Sequence, residues 1–181
     1  MESKEVIRWY PMRVTYHREL RIKQQLDALG IDSFVPMHYD LADSADGPRK
    51  TLVPAIHNLI FVHDSREDIT LLKTTRREFQ PLRYITKHFA ESVADNILTV
   101  PETQMRNFMR VASVQDDSVI FLDNSDYLNK VGRHVLITEG YFAGVEGVIK
   151  RIKNNKYVVV QIDGVAAVAI TYVPQQSLMA I

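Results

Sequence analysis

Residues 112–129 form an acidic stretch that divides the sequence into two parts. This stretch contains four acidic residues and no basic residue, whereas residues 1–111 carry a net charge of +1 and residues 130–181 a net charge of +3. A base-free stretch of Asp, Asn and Ser between two better balanced segments is typical of a linker. A long surface loop inside one domain is the alternative. The sequence favours the linker, because the hydrophobic pattern also changes across it.

Helical and strand patterns alternate before the acidic stretch. Aromatic and β-branched residues typical of a strand fill positions 7–14, and Pro36 places a second strand at an edge or bulge. Gly30 is a plausible helix end, Ser65 a plausible N-cap and Pro101 a plausible first helical residue. We predict strands over residues 7–14, 31–41, 58–63 and 82–86, a loop over 43–48, and helices over 17–29, after Ser65 and from Pro101.

After the acidic stretch the helical period disappears. Turn signals at Asn154-Asn155 and Asp163-Gly164 separate short apolar runs, and Asp-Gly is a strong hairpin signal. Five short strands in about fifty residues indicate a small barrel, which leaves few free strand edges. The predicted strands are 133–138, 145–152, 157–162, 165–173 and a short one near Leu178.

The composition excludes several classes of protein. The absence of cysteine excludes disulfides, thiol nucleophiles and thiolate metal sites. Equal numbers of acidic and basic residues, 22 of each, argue against a protein that coats nucleic acid through bulk charge. No apolar run approaches the roughly 18 residues of a membrane span, and the N-terminus lacks a signal-peptide pattern. We therefore expect a cytoplasmic protein.

Catalytic and metal-binding patterns are weak. The six histidines include no pair four residues apart on a helix, which a helical zinc site would need. His57 and His63 flank a predicted strand, which separates them by roughly 20 Å, too far for one metal ion. No phosphate loop, dinucleotide fingerprint or nucleophile elbow is present. We expect no enzyme activity, no metal and no cofactor.

Two basic runs in residues 1–111 are candidates for nucleic-acid binding. The first lies in the predicted first strand and helix, where arginines alternate with Trp9, Tyr10 and Tyr16. The second lies between Lys73 and Lys87. Basic residues beside exposed aromatic rings suit single-stranded nucleic acid, through phosphate attraction and base stacking. A solvated helix face is the alternative for either run alone, and Trp9 is more often a core residue than a stacking platform.

The most specific pattern lies in residues 130–149 and matches the KOW motif. In this motif a glycine opens a strand, and a Gly-x-Phe-x-Gly turn leads to a further glycine and a second apolar strand. Gly140 and Gly144 permit a reversal that a β-carbon would resist. We expect Gly147 to let the next strand bend around a tiny core.

A KOW motif behind a segment that opens on Arg8-Trp9-Tyr10 resembles the NusG family of transcription elongation factors. Residues 53–62 correspond to the family's apolar–Pro–Gly–Tyr–x–Phe–Val strand, but His57-Asn58-Leu59 stand where Pro-Gly-Tyr is usual. Within the family the chain looks most like UpxY-type paralogues, which act as antiterminators for capsular polysaccharide operons. The resemblance implies an α+β fold, with a mainly antiparallel sheet flanked by helices (the NGN domain) and a small SH3-like KOW β-barrel. The resemblance covers roughly residues 7–110 and 130–181, and with the acidic linker at 112–129 we predict these domains at residues 1–111 and 130–181.

The resemblance also implies partners and sites. The N-terminal domain would dock on the clamp helices of RNA polymerase's largest subunit and favour processive transcription. The implied polymerase-binding residues are Trp9, Tyr10, Phe34, Ile56, Leu59, Phe61, Lys73, Thr74 and Thr75. Those implied to face non-template DNA are Arg13, Tyr16, Arg18 and Arg21, and the second basic run adds Arg76 and Arg77 as predicted DNA-binding residues. The KOW domain would reach Rho or a ribosomal protein through Tyr141, Phe142 and Ala143.

Two other functions stay open at the level of the sequence. KOW barrels also occur in ribosomal proteins, so the chain could be an RNA-binding or ribosome-associated module. The charge of only +3 over residues 130–181 argues against strong RNA affinity of that part alone. A small enzyme is the third possibility, which the missing catalytic patterns disfavour.

Overall fold

The computed structural model describes residues 6–87, 96–122 and 132–181. These residues fall into two compact units. The first unit takes the described residues of Met1–Pro36 and Ile56–Glu102, and the second takes those of Met37–Ala55 and Thr103–Ile181. In chain order the elements are β1 (Arg8–Val14), α1 (Glu19–Ala28), β2 (Asp32–Phe34), β3 (Met37–Ala42), β4 (Arg49–Pro54), β5 (Leu59–Asp64), α2 (Arg66–Thr75), β6 (Leu82–Tyr84), α3 (Glu102–Ala112), β7 (Val119–Leu122), β8 (Arg133–Ile137), β9 (Glu146–Ile152), β10 (Asn155–Ile162), β11 (Ala166–Ile170) and β12 (Leu178–Ala180).

An antiparallel sheet with the strand order β2-β5-β1-β6 forms the centre of the first unit. Four consecutive residues of β5, from Leu59 to Val62, are fully buried. Because successive side chains of a strand point to opposite faces, this run shows that both faces of β5 are covered. The apolar run predicted over residues 58–63 is thus a central strand.

The predicted end of α1 and the predicted start of α2 are confirmed, whereas α1 begins at Glu19, two residues after the predicted start at residue 17. Ile22 and Leu26, four residues apart on α1, are buried. Gly30 has a φ of +72° after α1, and the amide of Ile31 donates to the carbonyl of Leu26, which is the Schellman pattern. At the start of α2, the Ser65 hydroxyl accepts a hydrogen bond from the Asp68 amide at 3.0 Å.

The prediction of one strand over residues 31–41 is wrong in detail. The structure has two strands there, β2 in the four-stranded sheet and β3 in a separate hairpin with β4. Buried Val35 and Pro36 separate them, and proline has no amide hydrogen to continue a ladder. The sequence does not predict β4, because the first four residues of this strand are all exposed and carry no alternating apolar pattern.

The second unit contains a six-stranded antiparallel sheet with the order β12-β8-β9-β10-β11-β7. Its strands β8 to β12 confirm the five strands predicted after the acidic stretch, and a 3₁₀ turn at Gln175–Ser177 precedes the last. Lys153 and Asn154 both have positive φ in the β9–β10 turn, as a two-residue type I′ hairpin requires. The small core of this sheet includes Ile152, Val159, Ala167 and Ala169.

Part of the acidic stretch is a strand in this structure. β7 extends the sheet by pairing with β11, and Leu122 lies opposite Ala167. Residues 123–131, which include the rest of the predicted linker and the start of the predicted KOW domain, lie outside the described ranges. The boundaries of 1–111, 112–129 and 130–181 therefore stay a prediction.

The predicted fold class is confirmed: an α+β part with a mainly antiparallel sheet is followed by an all-β part. α3 buries Met105, Phe108, Val111 and Ala112, whose three- and four-residue spacings put them on one side of the helix. Over the described residues, none of the helices combines the length and apolar character needed to cross a bilayer.

Candidate functional site

Two exposed arginines face each other at the β1–β6 edge of the first unit. Arg13 on β1 is the cross-strand partner of Arg83 on β6. Like charges directly opposite in a sheet repel each other, so this pair costs stability unless a negative partner neutralises it. Arg83 belongs to the second basic run but not to the predicted site residues, because the sequence alone does not show that β1 pairs with β6.

The turn that follows β1 presents an aromatic ring with a cation over it. The Tyr16 side chain is 79% exposed, and the Arg18 guanidinium lies 5.4 Å from the centre of its ring. Arg21 is exposed one helical turn further along α1. This is the juxtaposition of aromatic ring and positive charge that suits an unstacked base and its phosphate.

The second basic run reaches the same edge of the sheet. Arg76 and Arg77 are exposed at the end of α2, and the chain returns through Pro81 into β6. The amide of Thr15 donates to the carbonyl of Pro81 at 3.3 Å, which joins the turn after β1 to the entry of β6. The predicted DNA-facing residues therefore come from segments that meet at one edge.

The predicted polymerase-binding residues divide between two faces of the sheet. The strand register puts Trp9, Phe34, Leu59 and Phe61 on one face, where the rings of Phe34 and Phe61 are 6.4 Å apart. Tyr10 points to the opposite face, as the two-residue period of a strand requires. Its ring meets that of Tyr84 edge to face at 5.8 Å.

Burial separates the core residues of this set from those that a partner can reach. Leu59 and Phe61 have no exposed surface, and Trp9 is 6% exposed. Phe34 and Ile56 are half-buried. The accessible part of the predicted apolar surface in this structure is therefore Phe34 and Ile56.

Trp9 is held in a polar setting although its ring is buried. Its ring stacks on that of His63 at 4.6 Å between centroids, with 13° between the planes. Its indole Nε1 donates to Glu102 Oε2 at 3.0 Å, and His63 Nε2 lies 3.8 Å from the same oxygen. The indole thus has the hydrogen-bond partner that a buried tryptophan needs, and the core interpretation of Trp9 fits this structure.

Lys73, Thr74 and Thr75 lie in the last turn of α2. Lys73 Nζ lies 4.3 Å from the centre of the Tyr84 ring, and burial lowers the pKa of Lys73, with Arg83 lowering it further. The Thr74 and Thr75 hydroxyls both donate to the Leu71 carbonyl, at 3.0 and 2.7 Å. Both threonines are exposed, with their hydroxyls turned back onto their own helix.

The predicted KOW loop combines one exposed and one buried aromatic ring. Tyr141 is 75% exposed, whereas Phe142 is 9% exposed and meets Tyr141 edge to face at 5.2 Å. Arg110 of α3 donates to the carbonyls of Ala143 and Tyr141 at 2.6 and 2.9 Å. Beside the loop is an open groove of about 610 Å³, whose lining includes Tyr172.

The N-terminal segment of the chain, which contains β1 to β6 and most of α3, matches a known protein family. The family described as "NusG: Transcription termination factor nusG" matches residues 7–109, more than half of the chain. No curated protein matches the chain. Among solved structures it is similar to one titled "Domain interaction in Thermotoga maritima NusG", with 18% identity, a TM-score of 0.45, and coverage of 97% of this chain and 98% of that one.

Proposed function

Because this chain belongs to the NusG family, we propose that it is a non-enzymatic factor that binds RNA polymerase and promotes processive transcription. The observation that carries the proposal is the family match over residues 7–109, which runs from β1 through most of α3. A factor of this kind acts by binding the enzyme's processive state more tightly than its paused state, so it needs neither a catalytic residue nor a cofactor.

The polymerase surface that we propose is the accessible rim of the apolar sheet face. Phe34 and Ile56 make the first contacts with the clamp helices of the largest subunit, and Leu59 and Phe61 form the packed layer that supports them. This arrangement suits an interface in which a few apolar anchors are surrounded by polar groups. Lys73, Thr74 and Thr75 on α2 would meet the opposite wall of the polymerase cleft.

The basic edge described above is the surface that we propose for non-template DNA. Its support is the exposed pair of Tyr16 and Arg18 together with the opposed arginines Arg13 and Arg83. Such a contact would let a particular exposed strand recruit the factor. We accordingly propose action on particular operons, such as polysaccharide synthesis loci, in the manner of UpxY-type paralogues.

The second unit would bring in a further protein. We propose that Tyr141 is the anchor, because its ring is exposed while Phe142 and Arg110 hold the loop from behind. Rho and a ribosomal protein are the partners that we propose for it.

Transcription in vitro past a terminator tests the function directly. With purified polymerase and a template that carries the protein's own upstream leader, we expect added protein to increase full-length transcript. Pull-down of core polymerase in high-salt buffer is the companion measurement. Recovery of RNA without polymerase would overturn the proposal in favour of an RNA-binding, ribosome-associated module.

A further inference from the structure

Two histidines that are distant in sequence meet at one end of the first unit's sheet. The ring centres of His17 and His57 are 5.2 Å apart, with the planes at 89°. The antiparallel pairing of β1 with β5 causes this meeting. Beyond the last paired residues, the amide of Val14 donates to the carbonyl of Asn58 at 2.9 Å, and the amide of His17 donates to Asn58 Oδ1 at 3.0 Å.

Glu19, the first residue of α1, completes a cluster with these histidines. One ligand atom from each of the three side chains lies within 4.8 Å of the other two. Glu19 is only 2% exposed, whereas both histidines are exposed. The cluster is therefore open to solvent on the imidazole side and closed on the carboxylate side.

The hydrogen bonding of Glu19 is incomplete. Its Oε1 accepts a hydrogen bond from the backbone amide of Asn58 at 3.2 Å. Its Oε2 is buried and has no hydrogen-bond partner among the described residues. The positive end of the helix dipole favours a carboxylate at this position but gives Oε2 no hydrogen bond. A buried carboxyl oxygen without a hydrogen-bond partner is costly, and a cation bound beside it would offset that cost.

We propose that His17, Glu19 and His57 form a transition-metal site, with Zn²⁺ as the expected occupant. Two imidazole nitrogens and one carboxylate oxygen are a donor set that Zn²⁺ binds in proteins. Bonds of about 2.0–2.2 Å place tetrahedral ligand atoms about 3.4 Å apart. Small rotations of the two exposed imidazoles would shorten the distances between ligand atoms from at most 4.8 Å to this value. The backbone amide of Asn58 holds the carboxylate in place.

Three protein ligands leave the fourth tetrahedral position open to water or another oxygen. The site would also tie the turn that carries Tyr16 and Arg18 to the start of β5. Metal binding would thus stabilise the folded first unit, because a preformed site is absent from the unfolded chain.

The test is a metal titration of the full-length chain without a polyhistidine tag, after treatment with chelator. We expect one Zn²⁺ per chain, a rise in melting temperature with Zn²⁺, and a visible absorption band when Co²⁺ is used instead. His57→Ala should weaken Zn²⁺ binding at least about tenfold, because it removes one of three ligands. His134→Ala, which alters an exposed histidine of β8, is the matched control and should bind as the wild type does.

His17→Asn provides a second variant, because asparagine tolerates the positive φ of 49° at this position. It should also lose affinity at least about tenfold. Absence of stoichiometric binding to the wild type would overturn the proposal. So would unchanged affinity in both ligand variants, or an equal loss in His134→Ala.

Discussion

Arg13 lies directly opposite Arg83 in adjacent antiparallel strands, and both side chains are exposed. Such a pair is unfavourable for folding, so replacing one member should not destabilise the protein. We predict that Arg13→Ala leaves the free energy of unfolding unchanged or raises it by up to about 0.5 kcal/mol. It should weaken binding to the cognate single strand and make the negative slope of log affinity against log salt shallower by about 0.7.

Fluorescence anisotropy at several salt concentrations, together with thermal melts, checks this prediction. Arg151→Ala is the control, since Arg151 is an exposed arginine on β9 of the other unit. If both variants bind the strand as the wild type does, the basic edge has no part in DNA binding.

Ile56 and Leu59 should separate polymerase docking from folding. Ile56 is half-buried, and Ile56→Ser should reduce polymerase binding while shifting the melt only slightly. Leu59 is fully buried, so Leu59→Ala should cost about 2–5 kcal/mol of stability. Pull-down and denaturant titration measure the two effects. Wild-type polymerase binding by Ile56→Ser would remove this surface from the proposal.

Local patterns in the sequence predict several elements of this fold correctly. The Ser65 cap, the Gly30 helix end and the five C-terminal strands follow from neighbouring residues alone. The division of the apolar set was not predictable in the same way, because Trp9 and Tyr10 lie on opposite faces of the sheet and yet are both buried, which depends on how distant strands pair and pack. The meeting of His17 with His57 depends on strand pairing between distant segments, and no short motif signals it.

The tip of the KOW loop should contribute to binding without contributing to stability. Tyr141 is 75% exposed, so Tyr141→Ala should weaken binding of the second unit's partner. It should leave the free energy of unfolding within about 0.5 kcal/mol of wild type. Phe142→Ala empties a buried position and should cost about 3 kcal/mol or somewhat more. Binding to Rho and to ribosomal proteins, measured beside melts, compares the two. Equal effects of both variants on stability would contradict this division.

Position 147 requires a glycine because β10 passes close to it, and not because of its backbone angle. A β-carbon there would lie 2.7 Å from Val158 Cγ1 and 3.0 Å from the Val159 carbonyl oxygen. We expect Gly147→Ala to destabilise the second unit by about 1–3 kcal/mol, because β10 cannot move away without losing its pairing with β9. Gly164→Asn is the comparison: Gly164 has a φ of +71° and open space around it, and asparagine tolerates that angle. In urea denaturation, Gly147→Ala should therefore have a much lower free energy of unfolding than Gly164→Asn. The reverse order would contradict the steric argument.

Tyr84 should make the first unit sensitive to alkaline pH. Burial raises the pKa of Tyr84, against the opposing effect of its hydrogen bond with Thr70, and burial also raises the pKa of neighbouring Tyr10. The folded state thus holds the neutral phenol, whereas the unfolded chain ionises near pH 10. The stabilisation of the folded state by the neutral Tyr84 phenol is fully present below about pH 10. It is lost as the pH rises through the higher pKa of Tyr84 in the folded state.

Tyr84→Phe isolates the effect. At pH 8 the variant should be less stable than wild type by about 0.5–1.5 kcal/mol, since the Tyr84 hydroxyl donates to the Arg66 carbonyl at 3.2 Å and bonds with Thr70 at 3.0 Å. As the pH rises above about 10, the wild type loses stability faster than the variant, and the difference between them should narrow. Urea titrations at pH 8 and at pH 10.5 measure both differences. A gap that stays constant or widens would show that the Tyr84 phenol is not held neutral by the fold.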